Sequence, residues 1–274
     1  MPTVEAPFIT AVIREKEKTM LGENEVTRIM HAQTMHDMRE VLMTTPYATH
    51  LANDVSISDA VTNYLEQEFA WLADSLDNDM VLAFLGTRYD ALHVAQGILA
   101  LSAGESAMPS IPELGILSHA QLQEMIFDSV FIEKAPASSW ARIIQEQQQA
   151  IAQGTWSSPQ LFAAMQQELE VQLEHFAQSP FMHELAALAK AHHEADHAMR
   201  NATLPESAAA YERTWDESAL ALAKQFQYEP VGYDPIVAYW ITKEYEAKNI
   251  RLLVAAIQGG FSQQEAGALI RNLH

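Results

Sequence analysis

His193-Glu194-Ala195-Asp196-His197 fits H-E-x-x-H, the spacing by which a helix offers two imidazoles to zinc and a carboxylate to an attacking water. His193 and His197, at i and i+4, share a helix face. Glu194 beside them would be the general base, and Glu217 on the next predicted helix would supply a third ligand. That constellation defines a zinc hydrolase reading. Further histidines at 175, 183 and 192 extend the metal question, although on an acidic helical face the plainer expectation is pairing with carboxylates. The sequence holds no glycine-rich phosphate loop and no G-x-S-x-G elbow, and zero cysteines exclude disulfides, thiolate catalysis and Cys-ligated metal.

The spacing that includes His197 recurs. FLGTRYDALHVAQGILA (84–100), LAKAHHEADHAMRNA (188–202) and WITKEYEAKNIRLLVAA (240–256) each place an acid, two residues, a His or Asn, and then an apolar residue. The pairs are Asp90 with His93, Glu194 with His197, and Glu246 with Asn249. His193 aligns with Tyr89 and Tyr245, so the first zinc ligand belongs to no repeated feature, and Asp196 adds a charge inside the motif. Around Asp90 lie Gly86, Val94 and Gly97; around Glu194, Ala187, Ala191 and Ala198; around Glu246, Tyr239, Ile250, Leu253 and Ile257. Small and apolar neighbours predict a helix packed closely over each pair. The acid is then satisfied by the His or Asn three residues on, or by a group from the packed helix. This reading makes the three pairs frame residues, with no catalytic residue, metal ligand or cofactor.

The elements that must position them are helices. Ala, Leu, Gln, Glu and Met dominate and β-branched alternation is almost absent, so the class is all-α. Helices are predicted at 5–20, 24–31, 34–43, 57–77, 79–102, 118–132, 138–153, 159–178, 181–202, 206–227, 234–257 and 262–273. Asn53-Asp54, Ser118, Ser158-Pro159, Asp234-Pro235 and Ser262 are N-terminal signals, and Gly154 and Gly259-Gly260 are stops. The Ser102–Pro112 loop and Thr203-Leu204-Pro205 divide the chain into modules at 1–104, 105–204 and 205–274. Methionines 20, 30, 35, 38 and 43 and the five tryptophans are expected in core or module-interface packing.

With 36 acidic against 16 basic residues the formal charge is −20, which repels phosphate backbones and anionic lipid and excludes nucleic acid as a partner. No run approaches the ~18 apolar residues of a membrane span, and Met1-Pro2-Thr3-Val4-Glu5 lacks a basic n-region, so a cytoplasmic protein without membrane insertion is expected.

YDPIVAYWITKEYEAKNIRLLVAAIQGGFSQQEAGALIRNL resembles the C-terminal signature of the C-type stalk proteins of V/A-type ATPases and is similar to their eukaryotic V-ATPase counterpart, the d-type stalk protein. The matching positions are Tyr239, Lys243-Glu244, Glu246, Asn249-Ile250-Arg251, the Gly259-Gly260 turn and the final helix. VTRIMHAQTMHDMREVLMTTPYATHL (26–51), FLGTRYDALHVAQGILA and IPELGILSHAQLQEMI (111–126) resemble earlier family elements in the expected order. His93 and His197 stand where the family commonly has Asn.

The resemblance implies three similar helical bundles forming a funnel with approximate threefold pseudo-symmetry. It also implies a non-catalytic rotor subunit on the cytoplasmic side of the membrane, a socket joining the axle subunits D and F to the proteolipid ring. The structural signature carried by the resemblance and the repeat is Asp90, His93, Glu194, His197, Tyr239, Glu246, Asn249 and Arg251. A free-standing helical interaction scaffold of the same fold is the alternative from another class, beside the zinc hydrolase.

Overall fold

A computed structural model gives the fold and describes residues 5–52, 55–129, 137–202, 205–230 and 232–273; of 5–7, 137–138, 195–202 and 205–211 it describes the backbone alone. Among the described residues the protein is all-α with no strand. The helices are α1 (Glu5–Glu17), α2 (Glu23–Met30), α3 (Met35–Leu42), α4 (Ile57–Ser75), α5 (Asp79–Ser102) and α6 (His119–Ile126). They continue with α7 (Ala137–Ala152), α8 (Ser158–Phe176), α9 (Pro180–Ala202), α10 (Pro205–Phe226), α11 (Asp234–Gly259) and α12 (Gln263–Leu269). Every predicted helix is present. A 3-10 turn at Pro46–His50, started by Pro46, is the one helical element that periodicity did not signal.

Side-chain oxygens begin several of these helices by accepting otherwise unpaired backbone N–H groups. Thr34, Ser118 and Ser262 accept from Asp37, Gln121 and Glu265 at 3.1, 3.2 and 3.3 Å, each as half of a capping box. Ser56, rather than the expected Asn53-Asp54, caps α4 by accepting from Asp59 N–H at 3.0 Å; Asn53 and Asp54 lie outside the described residues. Gly260, at φ +70°, closes α11 in the left-handed conformation that favours glycine.

Two helices end four or more residues before their predicted limits. Instead of reaching 132, α6 stops at Ile126, and Ser129 takes a positive φ of 56°. Instead of reaching 273, α12 stops at Leu269, because the backbone of Arg271 is taken by another partner, described below.

The chain divides into two compact units: unit 1 comprises Met1–Asp77 with Ala195–His274, and unit 2 comprises Asn78–Glu194. Each is built around one long helix that is buried along most of its length. In unit 1 this is α11, against which α10, α4, α1, α12 and α3 pack. In unit 2 it is α5, packed by α8, α6 and α7. The unit 2 core joins Val94, Ile98, Leu122, Trp140, Ile144 and Leu161. Trp140 and Trp240 are fully buried, while Trp71, Trp156 and Trp215 are half-buried. Of the five methionines expected in packing, Met38 is buried and Met43 is exposed; the other three are half-buried.

Candidate functional site

A charged residue at a buried position of a helix must find partners, because an unpaired buried charge costs several kcal/mol. In unit 1, α11 carries Lys243 and Glu246, both without exposed side-chain surface. Glu246 Oε2 accepts the Leu21 N–H at 2.6 Å, and its Oε1 accepts from Tyr47 Oη and Lys243 Nζ, both at 2.7 Å. The Lys243 ammonium also lies 4.9 Å from the Tyr64 ring centroid, a cation–π contact that lessens its burial cost. Beside this cluster, Glu68 of α4 accepts from Lys16 Nζ at 2.8 and 2.9 Å and from Tyr239 Oη at 2.7 Å. Lys16 in turn caps the Trp71 ring at 4.4 Å.

Two carboxylates and two ammoniums balance, and the tyrosines stay neutral donors. Burial, followed by the neighbouring Glu246, pushes the Tyr47 hydroxyl well above its ordinary range; burial and Glu68 do the same to Tyr64 and Tyr239. The arrangement fastens α1, the α1–α2 junction, the 3-10 turn and α4 onto α11. Arg251 adds a bond from α11 to Thr62 Oγ1 of α4 at 2.9 Å.

Three residues after Glu246, Asn249 acts on the opposite end of the chain. Its Nδ2 donates to Arg271 O at 2.9 Å and its Oδ1 accepts from Arg271 N–H at 2.8 Å, so one amide side chain satisfies both backbone groups. Arg271 then reaches Asp216 Oδ2 of α10 at 2.6 Å, where Lys248 Nζ also lies at 2.6 Å.

Unit 2 contains the corresponding acid. Asp90 Oδ1, on α5, accepts the Ile116 and Leu117 N–H groups at 2.9 and 3.0 Å. Leu117 immediately precedes Ser118, the N-cap of α6, and Leu21 immediately precedes Gly22, the N-cap of α2. The same device therefore occurs once in each unit: a buried acid on the central helix holds the leucine amide from which a short helix starts.

The environments differ. Among the described residues no cation lies beside Asp90, and burial overrides its two amide bonds to push its carboxyl up to about 7. Burial also pulls His93 down to about 4. Asp90 Oδ2 and His93 Nδ1 are buried without a hydrogen-bond partner among the described residues.

Gly115 supplies the close approach that this clasp needs. At φ +106° it occupies a region that L side chains rarely adopt, and a Cβ there would run into Asp90 Oδ1. Gly115→Ala is expected to destabilise the protein by about 2–3 kcal/mol, read as a lower urea midpoint. Gly104→Ala, also at positive φ but facing open space, isolates the backbone share of that loss; equal losses in the two variants would remove the role assigned to the Asp90 contact.

HEADH is placed differently from its repeat partners. Glu194 is exposed, so no helix closes over it as the repeat predicted, and the side chain of His197 lies outside the described residues. His193 donates from Nδ1 to Glu170 Oε1 at 2.6 Å, His183 lies 3.2 Å from Glu174, and Glu217 accepts from Arg213 at 2.7 Å. Among the described residues no three His, Asp or Glu side chains are grouped as a metal site. Sequence reasoning found Asp90, Tyr239, Glu246 and Asn249 but missed Lys16, Tyr47, Glu68, Asp216 and Arg271. Glu68 lacks the acid-x-x-His/Asn spacing of Glu246, and its one sequence signal is an acid beside the apolar Phe69-Ala70-Trp71-Leu72 run of α4.

No curated protein matches the chain. Residues 144–269 match the family model described as ATP synthase (C/AC39) subunit. This span begins in α7, ends with α12, and contains Glu194, His197, Tyr239, Glu246, Asn249 and Arg251, while Asp90 and His93 fall outside it. Over residues 144–269, a little under half of its length, the chain is similar to the ATP synthase (C/AC39) subunit family.

Proposed function

We propose that this protein is a non-catalytic central-stalk subunit of a V/A-type ATPase, a socket through which the axle subunits D and F engage the membrane proteolipid ring. The family match over residues 144–269 carries the reading. Among the described residues no helix is long and apolar enough to cross a membrane, so the protein meets the ring from outside the bilayer, on its cytoplasmic face.

A coupling part must transmit torque without shearing internally, and close-packed helices with buried polar ties resist such deformation. The Glu246 and Asp90 clasps support this use because each joins segments far apart in sequence. The −20 charge draws the protein towards basic surfaces of ring or axle. The resemblance further implies the three-module funnel as the shape that receives the axle.

Reconstitution tests the role. A complex assembled without this protein should hydrolyse ATP in its head while ion transport through the ring is lost, and adding the protein back should restore transport. Transport that stays coupled to hydrolysis in its absence would end the rotor reading.

A further inference from the structure

The segment between α5 and α6 is fastened to α5 at three points. Ile116 fills the space over Gly86, where an added Cβ would meet its Cγ1 at 2.9 Å. Met108, together with Ile126 of α6, fills the space over Gly97, where an added Cβ would lie 2.6 Å from Met108 Sδ and 2.5 Å from Ile126 Cδ1, and the Met108 N–H donates to Gln123 Oε1 at 2.8 Å. Between these seats, Gly115 brings the backbone against Asp90, which holds the Ile116 and Leu117 amides. The glycines on α5 thus receive a strap, residues 108–117.

The corresponding acid in unit 1, Glu246, meets an ammonium and a phenol as well as an amide. Asp90 meets only amides, and its second oxygen is buried without a donor among the described residues. Ionising it places an uncompensated charge beneath the strap. We propose that strap 108–117 is a proton-dependent latch on α5, held firmly while Asp90 is neutral and loosened when Asp90 ionises.

The surrounding charges do not offset this. The elements packed on α5 carry His119 and Glu124 on α6, Arg142 and Glu146 on α7, and Glu168, Glu170, Glu174 and His175 on α8. The strap carries Glu113, and α5 itself carries Asp79, Arg88, Tyr89 and His93. Glu168, the buried one of these acids, is engaged by Arg142 at 3.0 Å and Gln172 at 3.2 Å. None contributes to the raised affinity of Asp90 for its proton, which comes from burial set against two amide bonds.

The closed form holds the proton to about pH 7, whereas a hydrated aspartate releases it near pH ~3.9. Closure is therefore firmest below the hydrated value, weakens as pH rises, and becomes pH-independent above about 7. His93 has the opposite linkage: it stays neutral to about pH 4 when buried and would take up a proton on exposure at higher pH. Opening that hydrates both groups exchanges one proton for the other and masks the slope. His93→Asn, which places at 93 the residue type found at 249, removes that opposing group.

The test is amide exchange on the full chain from pH 5 to 8, corrected for the intrinsic rates. In His93→Asn, protection of the Ile116 and Leu117 amides should fall by up to about tenfold per pH unit up to pH 7 and then level. Adding Asp90→Asn should remove the slope, and the Leu21 amide should show none. A flat profile in His93→Asn, or an unchanged slope with Asp90→Asn, overturns the latch. In the unsubstituted chain, the Ile116 and Leu117 amide resonances should titrate together with a midpoint near 7; a midpoint in the ordinary carboxylate range overturns it without any variant.

Discussion

Glu246→Ala is expected to lower the stability of the protein by about 3–5 kcal/mol, the usual cost of stranding one member of a buried ion pair. Three groups lose their acceptor at once: the Lys243 ammonium, the Tyr47 hydroxyl and the Leu21 N–H. Lys243 has no exposed side-chain surface through which water could replace the carboxylate. Its remaining company is the faces of Tyr64 and Tyr47, 4.9 and 5.7 Å from the ammonium, worth about 1–2 kcal/mol. Attraction of that size does not offset the burial of a full charge. Urea unfolding should show the loss as a lower midpoint. The double variant Lys243→Met/Glu246→Gln separates charge from packing. Because it removes the ammonium together with its counter-charge, it should cost about 1–3 kcal/mol less than the sum of the two single losses. Strict additivity would mean that the tyrosine rings, rather than Glu246, keep Lys243 inside.

The helices were legible because their signals are local. Periodicity marks the apolar stripes, and Ser118, Ser262 and Gly260 mark ends through contacts within a few residues. The acid-x-x-His/Asn spacing was equally visible, and it singled out Asp90 and Glu246, acids that the fold buries on its two central helices. What it could not supply was their partners. The spacing suggested a bond to the residue three positions on or to a group of a packed helix, whereas Glu246 binds an amide 225 positions away and Asn249 binds Arg271. No periodicity encodes such a pairing, because it depends on which segments the fold brings together.

The same gap explains the misplaced expectation at Glu194. Alanines at 187, 191 and 198 read as a packing surface, but small residues permit close approach without compelling it, and Glu194 is exposed. By contrast, the glycines at 86 and 97 are covered, Gly86 by the strap and Gly97 by the strap together with Ile126 of α6. A rule that would have found more of the site is simple: each charge set among apolar residues on the inward face of a helix predicts a buried opposite charge or phenol elsewhere. Applied to α11 and α4, it calls for partners for Lys243, Glu246 and Glu68, and the chain offers few cations to choose from.

The C-terminal segment should be the second place where one residue carries a large effect. Asp216→Ala removes the carboxylate that holds the Arg271 guanidinium, whose side chain is 7% exposed, and about 3–5 kcal/mol is expected to be lost as the arginine seeks water. Lys248 shares that carboxylate but is 39% exposed and can rehydrate in place, so Lys248→Ala should cost under about 1 kcal/mol. Because guanidinium and backbone belong to the same residue, withdrawal of Arg271 also pulls on the two bonds from Asn249. It loosens the Leu269 carbonyl too, to which Arg271 Nη1 donates. The expected consequence is local. In Asp216→Ala, amides of α12 and of residues 270–273 should lose protection, while the central part of α11 keeps its own. Asn249→Ala should expose the same segment more mildly, by about 1–3 kcal/mol, since it removes neutral bonds and leaves the ion pair intact. If α12 stays protected in Asp216→Ala, the segment is held by the burial of Ala266 and Leu273, and the polar anchor is secondary.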